Sequence, residues 1–342
     1  MALKKNADTR PEIVQVTPNA AIAGGDLLIR GRRFTSGDWP RVTIGEVAAP
    51  LMIGSDSMCI VRVPDGASAG ELVVASGALQ SGAWDCSIGI MIADSLHPVA
   101  NPAVDMHGNV FATFSGSRGQ KVPVAVYKVD LNYGVKPFVN DLMNATGLAF
   151  GSDGLLYISS RYDGIVYQVT PSGNMSIFVE GMGVATGLTF DREQNLYVGD
   201  RSGTIFKISP ERQIFVFTTL EPSIAAYHLA WGPDDHLYVA GPTTSSYDAV
   251  YRVSQAGEVT VFYRGLGRPQ GMAFDVDGNL YVAASLGGRK GVVRVNRQQK
   301  AELFLSGPGV VGIAFTPSRS MVVATASAIH RVDVGIQGRA IY

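Results

Sequence analysis

The chain has 342 residues, which is long for one domain and comfortable for two. Apolar residues make up 46% and charged residues 17%, with 40 Gly and 17 Pro, a composition that suits a packed, turn-rich β protein and argues against disorder. A formal net charge of −1 with no Lys/Arg cluster gives neither nucleic acid nor an anionic membrane surface the electrostatic footprint it requires.

The opening MALKKNADTRPEIV has two lysines and no apolar stretch behind them, so the expectation is a chain without a signal peptide. No run is long enough to span a bilayer as a helix. The composition fits a cytoplasmic or a secreted protein, and no compartment is assigned. Strand-like runs follow at 12–16, 26–30, 41–44, 58–63 and 71–75, separated by turn residues. About seven short strands in that length suggest a β-sandwich. Cys59 and Cys86 are the only cysteines, and their ordinary role is that of core thiols.

A boundary is expected at 92–97, because beyond it the chain repeats itself. ATGLAFGSDGLLYI from Ala145 recurs as ATGLTFDREQNLYV, AYHLAWGPDDHLYV and PQGMAFDVDGNLYV, with degenerate copies ANPAVDMHGNVFAT and VVGIAFTPSRSMVV at either end. Aligned on Gly147, Gly187, His228, Gly271 and Gly312, the copies lie 40, 41, 43 and 41 residues apart, the length of one propeller blade. Turns such as Asp277-Gly278-Asn279 join antiparallel strands. In the second copy the strands are expected at 147–150, 155–159, 164–169 and 175–179. The last copy leaves little room for an outer strand, and a strand from about 86–92 is the alternative that would close the ring. The small residues suit strands crowded about an axis, and the aromatics Phe150, Phe190, Trp231, Phe274 and Phe315 suit wedges between blades. The fold expected is therefore all-β: an N-terminal immunoglobulin-like β-sandwich over 10–92 and a six-bladed β-propeller over 98–342.

The segment PEIVQVTPNAAIAGGDLLIRGRRF, with RVTIGEVAA and CIVRVPDG, resembles the IPT/TIG family of immunoglobulin-like domains. That resemblance implies a spacer or interaction module without a catalytic role. The repeats resemble NHL-repeat propellers and, through PQGMAFDVDGNLYVAA, those of the gluconolactonase and senescence-marker-protein type. The latter resemblance implies a divalent metal, calcium or zinc, at the channel mouth, held by Glu, Asn and Asp. At the matching positions this chain has Ala100-Asn101-Pro102, Ala226-Tyr227-His228 and Pro269-Gln270-Gly271. Hard cations need carboxylates to offset dehydration, and a useful zinc site needs three protein ligands. The expectation is therefore no cofactor, with a divalent metal kept as the alternative.

No nucleophile elbow, His-Glu-x-x-His or phosphate-cradling loop is present. His97, His107, His236 and His330 are read as ordinary turn or surface residues. The residues before the inner strands, Asn101, Thr146, Thr186, Tyr227, His228 and Gln270, are expected to ring the channel mouth and bind ligand, joined by Arg161 from the next tier of loops. Asp200 is read as a residue that bonds its own blade's turn, as it does in NHL-type repeats. Trp39, Tyr247 and Tyr342 are candidate anchors for a protein. The favoured function is non-catalytic recognition or scaffolding, in which the propeller face binds a protein or a small carbohydrate-like ligand and the immunoglobulin-like domain acts as spacer or interaction module. The alternative is a gluconolactonase-like hydrolase of a lactone or ester, with a rearranged channel site and His228 as general base.

Overall fold

A computed structural model describes residues 10–68, 70–117, 119–244 and 248–339. All regular elements among them are strands. The chain divides into two compact units, Met1–Ile90 with Phe304–Pro308, and Met91–Leu303 with Gly309–Tyr342.

In the first unit, Glu12–Thr17, Asp26–Arg32, Met58–Arg62 and Leu51–Gly54 form one antiparallel sheet in that spatial order. Trp84–Ile88, Gly70–Ser76, Pro40–Ile44 and Val47–Ala49 run in order through a second. Ala20–Ala21 lies parallel to Trp84–Ile88 on one side and to Leu305 and Ser306 on the other. Alternation does the work of folding here. Leu27, Ile29, Cys59 and Val61 point inward from the first sheet to meet Val42, Ile44, Leu72 and Val74 from the second, and the residues between them are only half-buried. Gly31 is required because a Cβ there would collide with the Glu12 carbonyl and the Phe34 ring. Cys59 and Cys86 are free thiols in this core. Burial pushes Cys59 up to about 11 and Cys86 up to about 12, so both stay protonated and inert near neutral pH.

The second unit is a series of antiparallel sheets, four-stranded except for the one that starts with Met272–Phe274, which is part of a larger sheet. The sheet of the second sequence copy comprises Ala145–Phe150, Leu156–Ser160, Val166–Val169 and Met175–Val179. Its first strand starts two residues earlier than the sequence suggests. The next sheets begin with Ala185–Phe190, His228–Trp231, Met272–Phe274 and Val310–Phe315, and the sheet of the leading copy with Ala103–Val104. These first strands touch in a closed cycle, each against the next and the last back to the first. The sheet of Val310–Phe315 takes its fourth strand from Ile90–Ala93, which pairs with Ile329–Asp333. The closing strand thus comes from before the repeats, slightly later than 86–92.

Turn chemistry explains the repeat. Asp191 Oδ1 accepts the amides of Glu193 and Asn195 at 2.9 and 2.8 Å, and its Oδ2 accepts Asn195 Nδ2 at 2.8 Å. Asp105 with Asn109 and Asp275 with Asn279 repeat the same bonds at the same spacing. The tyrosines two places on close the motif, Tyr197 and Tyr281 donating to Asp191 and Asp275 at 3.2 and 3.1 Å. The aromatics at the ends of the first strands pack between sheets as expected. Phe190 meets Tyr157 at 4.9 Å, Phe274 meets Tyr238 at 4.8 Å and Phe315 meets Tyr281 at 5.3 Å, all edge to face.

Candidate functional site

The glycines of the first strands set how closely the sheets approach the axis. A Cβ on Gly147 would lie 2.5 Å from the Thr186 carbonyl, and one on Gly312 would lie 2.6 Å from the Asn101 Cα. The strands are therefore pressed together near their starts and splay apart towards their ends.

The expected mouth residues lie at the pressed end. Thr146 is buried and its hydroxyl donates to the Asn144 carbonyl at 3.0 Å. Thr186, also buried, donates to the Gly199 carbonyl at 2.8 Å and accepts the Tyr227 amide at 3.1 Å. The Tyr227 hydroxyl donates to the Glu221 carbonyl, and burial pushes its pKa up to about 12. His228 is 4% exposed, and burial lowers its imidazole to about 4, so it is neutral at physiological pH. Gln270 is half-buried, its backbone amide bonded to Ala283 O. The Arg161 amide shares the Asn144 carbonyl with Thr146, and its guanidinium donates to the Gly116 carbonyl at 2.9 Å, on a loop that Asn144 also holds. The structure thus links Thr186 to Tyr227 of the next sheet, while Thr146 bonds the backbone just ahead of its own strand. Asp200 accepts the Val184 amide at 2.9 Å and the Ser202 amide at 3.2 Å, as a turn-bonding residue should. His330, expected in a turn or at the surface, is a buried residue of the strand Ile329–Asp333, and burial lowers its pKa. Trp39 is exposed, while Tyr247 and Tyr342 lie outside the described residues.

The open space is at the other end of the same strands. A cavity of about 470 Å³ is walled by residues 148–150, 188–190, 229–231, 272–274 and 313–315, with 101–104 completing the circle. Asn101 is the expected site residue found in it. Its Nδ2 donates to the Met272 carbonyl at 2.7 Å and its Oδ1 accepts the Ile313 amide at 3.0 Å, so it ties two other first strands together. The walls are mostly apolar and aromatic, with Asn101, Thr189, Thr316 and Gln337 among them. Among the described residues the lining includes no Asp, Glu, His, Cys or Lys, and its charged residue is Arg339.

Two features of this cavity were not read from the sequence. The Trp231 indole is 3% exposed and stacks on Tyr197 at 5.2 Å, yet its Nε1–H has no acceptor among the described residues. A buried donor left unmade costs about 1–3 kcal/mol, so such a group marks a place where an acceptor is wanted. The second feature is the chain end. Val276 N donates to Gln337 O at 3.1 Å and Arg339 N to Phe274 O at 2.9 Å, which lays residues 337–339 along the cavity rim. Gly338 fits only because it lacks a Cβ, which would overlap Phe315.

A metal of the kind the gluconolactonase resemblance implies does not fit these residues. Asn101 is engaged with backbone groups, His228 is enclosed, and among the described residues no three His, Cys, Asp or Glu side chains are grouped for a metal.

No protein-family model and no curated protein matches the chain. Solved structures do. A candidate gluconolactonase superposes with a TM-score of 0.62 at 15% identity, over 74% of this chain and 94% of its own. An auxiliary nutrient binding protein from Bacteroides ovatus superposes at 0.55 and 12%, over 94% and 97%. An inactivated virginiamycin B lyase from Staphylococcus aureus, solved with quinupristin, superposes at 0.51 and 14%, over 97% of both chains. The fold is a β-propeller. At such identities the likeness extends to the fold alone, and one propeller carries many chemistries, so the blades say nothing by themselves about the reaction or the ligand.

Proposed function

We propose that this chain is a non-catalytic recognition protein in which a six-bladed propeller, residues 98–342, binds a small ligand in the cavity at the far ends of its inner strands. An immunoglobulin-like sandwich of the IPT/TIG type, residues 10–92, serves as spacer or interaction module. The cavity carries this reading: it has the volume of a small-molecule site, largely apolar walls and a few convergent polar groups, and among the described residues no Asp, Glu, His, Cys, Lys or Ser lines it. The mixture of names among the structural neighbours, binding proteins beside a lyase, is what a shared scaffold with different sites produces.

The hydrolase alternative needs His228 to meet substrate. Its burial, and its place on the closed side of the glycine ring, give that reading no support.

The test is a thermal-shift screen of small organic molecules against the wild-type protein and against Ala149→Trp, which fills the cavity from a wall position. Ligands that stabilise the first and not the second are the expected result. Turnover of a sugar lactone that disappears in His228→Ala would overturn the non-catalytic reading.

A further inference from the structure

The cavity's charge and hydrogen-bonding character are one-sided. Among its lining residues, Arg339 is a cation and no residue is an anion. The carboxylates that influence Arg339 are Asp234 and Asp235, and each already holds another arginine: Asp234 pairs with Arg252 at 2.6 Å and Asp235 with Arg192 at 3.3 Å. Arg339 makes no ion pair among the described residues. Partial burial is the main cost to its charge and the nearby Arg192 adds to it, while Asp235 and Asp234 offset part. A guanidinium does not give up its proton at physiological pH, so this cost is relieved by an incoming anion.

Its position is fixed in advance. The Arg339 amide is bonded to Phe274, Gly338 bridges to Asp275, and Gln337 O receives the Val276 amide, so the residue is held by backbone contacts to one hairpin. Trp231, on the neighbouring inner strand, is a further wall residue. One charged donor therefore stands against walls that include Leu229, Phe274 and Phe315.

We propose that the cavity is built for a carboxylate carried on an apolar or aromatic body, and that Arg339, delivered by the chain end, is the residue that selects it. This rests on the cavity being the binding site. The acid lies towards Arg339, and the apolar body fills the space between the inner strands. A neutral isostere keeps the apolar contact and loses the charge-assisted bonds.

The experiment is calorimetric titration of the full chain with matched acids and amides: indole-3-acetate and indole-3-acetamide, phenylacetate and phenylacetamide, hexanoate and hexanamide. Wild type is expected to prefer at least one acid over its amide by about tenfold or more, and Arg339→Gln is expected to bring that ratio to within about twofold while the amide's affinity holds. A melting curve of Arg339→Gln matching wild type shows that the variant is folded. If that variant unfolds, Arg339→Lys keeps the charge without the fork, and must retain part of the preference. Equal binding of acid and amide, abolished by Ala149→Trp, overturns the charge selection and leaves the cavity reading standing. Silence from every acid and amide at millimolar concentration overturns both.

Discussion

Asn101 and Met272, 171 positions apart in the sequence, are joined by a 2.7 Å bond from the side-chain amide to the backbone carbonyl. The same amide accepts the Ile313 N–H, so one side chain ties three inner strands together where the channel narrows. Its neighbour Ala100, two residues before Pro102, stands where the gluconolactonase resemblance implies a Glu.

Asn101→Ala leaves a carbonyl and an amide without their partner and should cost about 1–3 kcal/mol of stability, read from the urea midpoint. Asn101→Asp should not rescue it. The new oxygen can still accept from Ile313 but faces the Met272 carbonyl, where a donor is needed.

Gly187 sits against the next blade's inner strand, where a Cβ would overlap the Tyr227 carbonyl and approach the His228 Cα to 3.0 Å. Both obstacles are backbone and cannot rotate away. Gly187→Ala should therefore cost roughly 3 kcal/mol or more, or prevent folding, because overpacking here must push blades apart. Gly82→Ala, with nothing within 4 Å of the added carbon, should leave the melting temperature nearly unchanged.

The buried His228 makes stability depend on pH. The native imidazole takes a proton only near pH 4, against about 6.5 ordinarily, so between those values the unfolded chain holds more protons. Stability should fall as the pH is lowered through that window, by on the order of 3 kcal/mol at its lower end. Urea melts of wild type and His228→Gln at pH 7 and pH 4.5 isolate this contribution from the carboxylates. An equal acid loss in both proteins would rule it out.

Cys59 and Cys86 should be silent towards a thiol reagent such as DTNB in the folded protein at pH 8, since burial holds both thiols protonated and out of reach. Both should react once the chain is unfolded in guanidinium without reductant. Recovery of fewer than two thiols after unfolding would mean that the pair had oxidised.

By itself the sequence determined the elements and their periodicity. The signals are local: apolar alternation, an Asp that binds the amides of its own turn, and an aromatic at a constant place after each glycine. Those signals place the strands of the second blade to within two residues, and they identify the aromatics as wedges. Tertiary structure alone decided which end of the inner strands stays open, because that depends on how closely Gly147, Gly187 and Gly312 let neighbouring backbones approach. It also decided that the hydroxyls of Thr146, Thr186 and Tyr227 are spent on nearby backbone carbonyls. Arg339 carries no repeat signal and reaches the cavity only because the chain end is pinned to the hairpin after Phe274. The closing strand Ile90–Ala93 likewise gains its meaning from its distant partner Ile329–Asp333, since an unpaired sheet edge is satisfied by whichever strand the closed ring brings beside it.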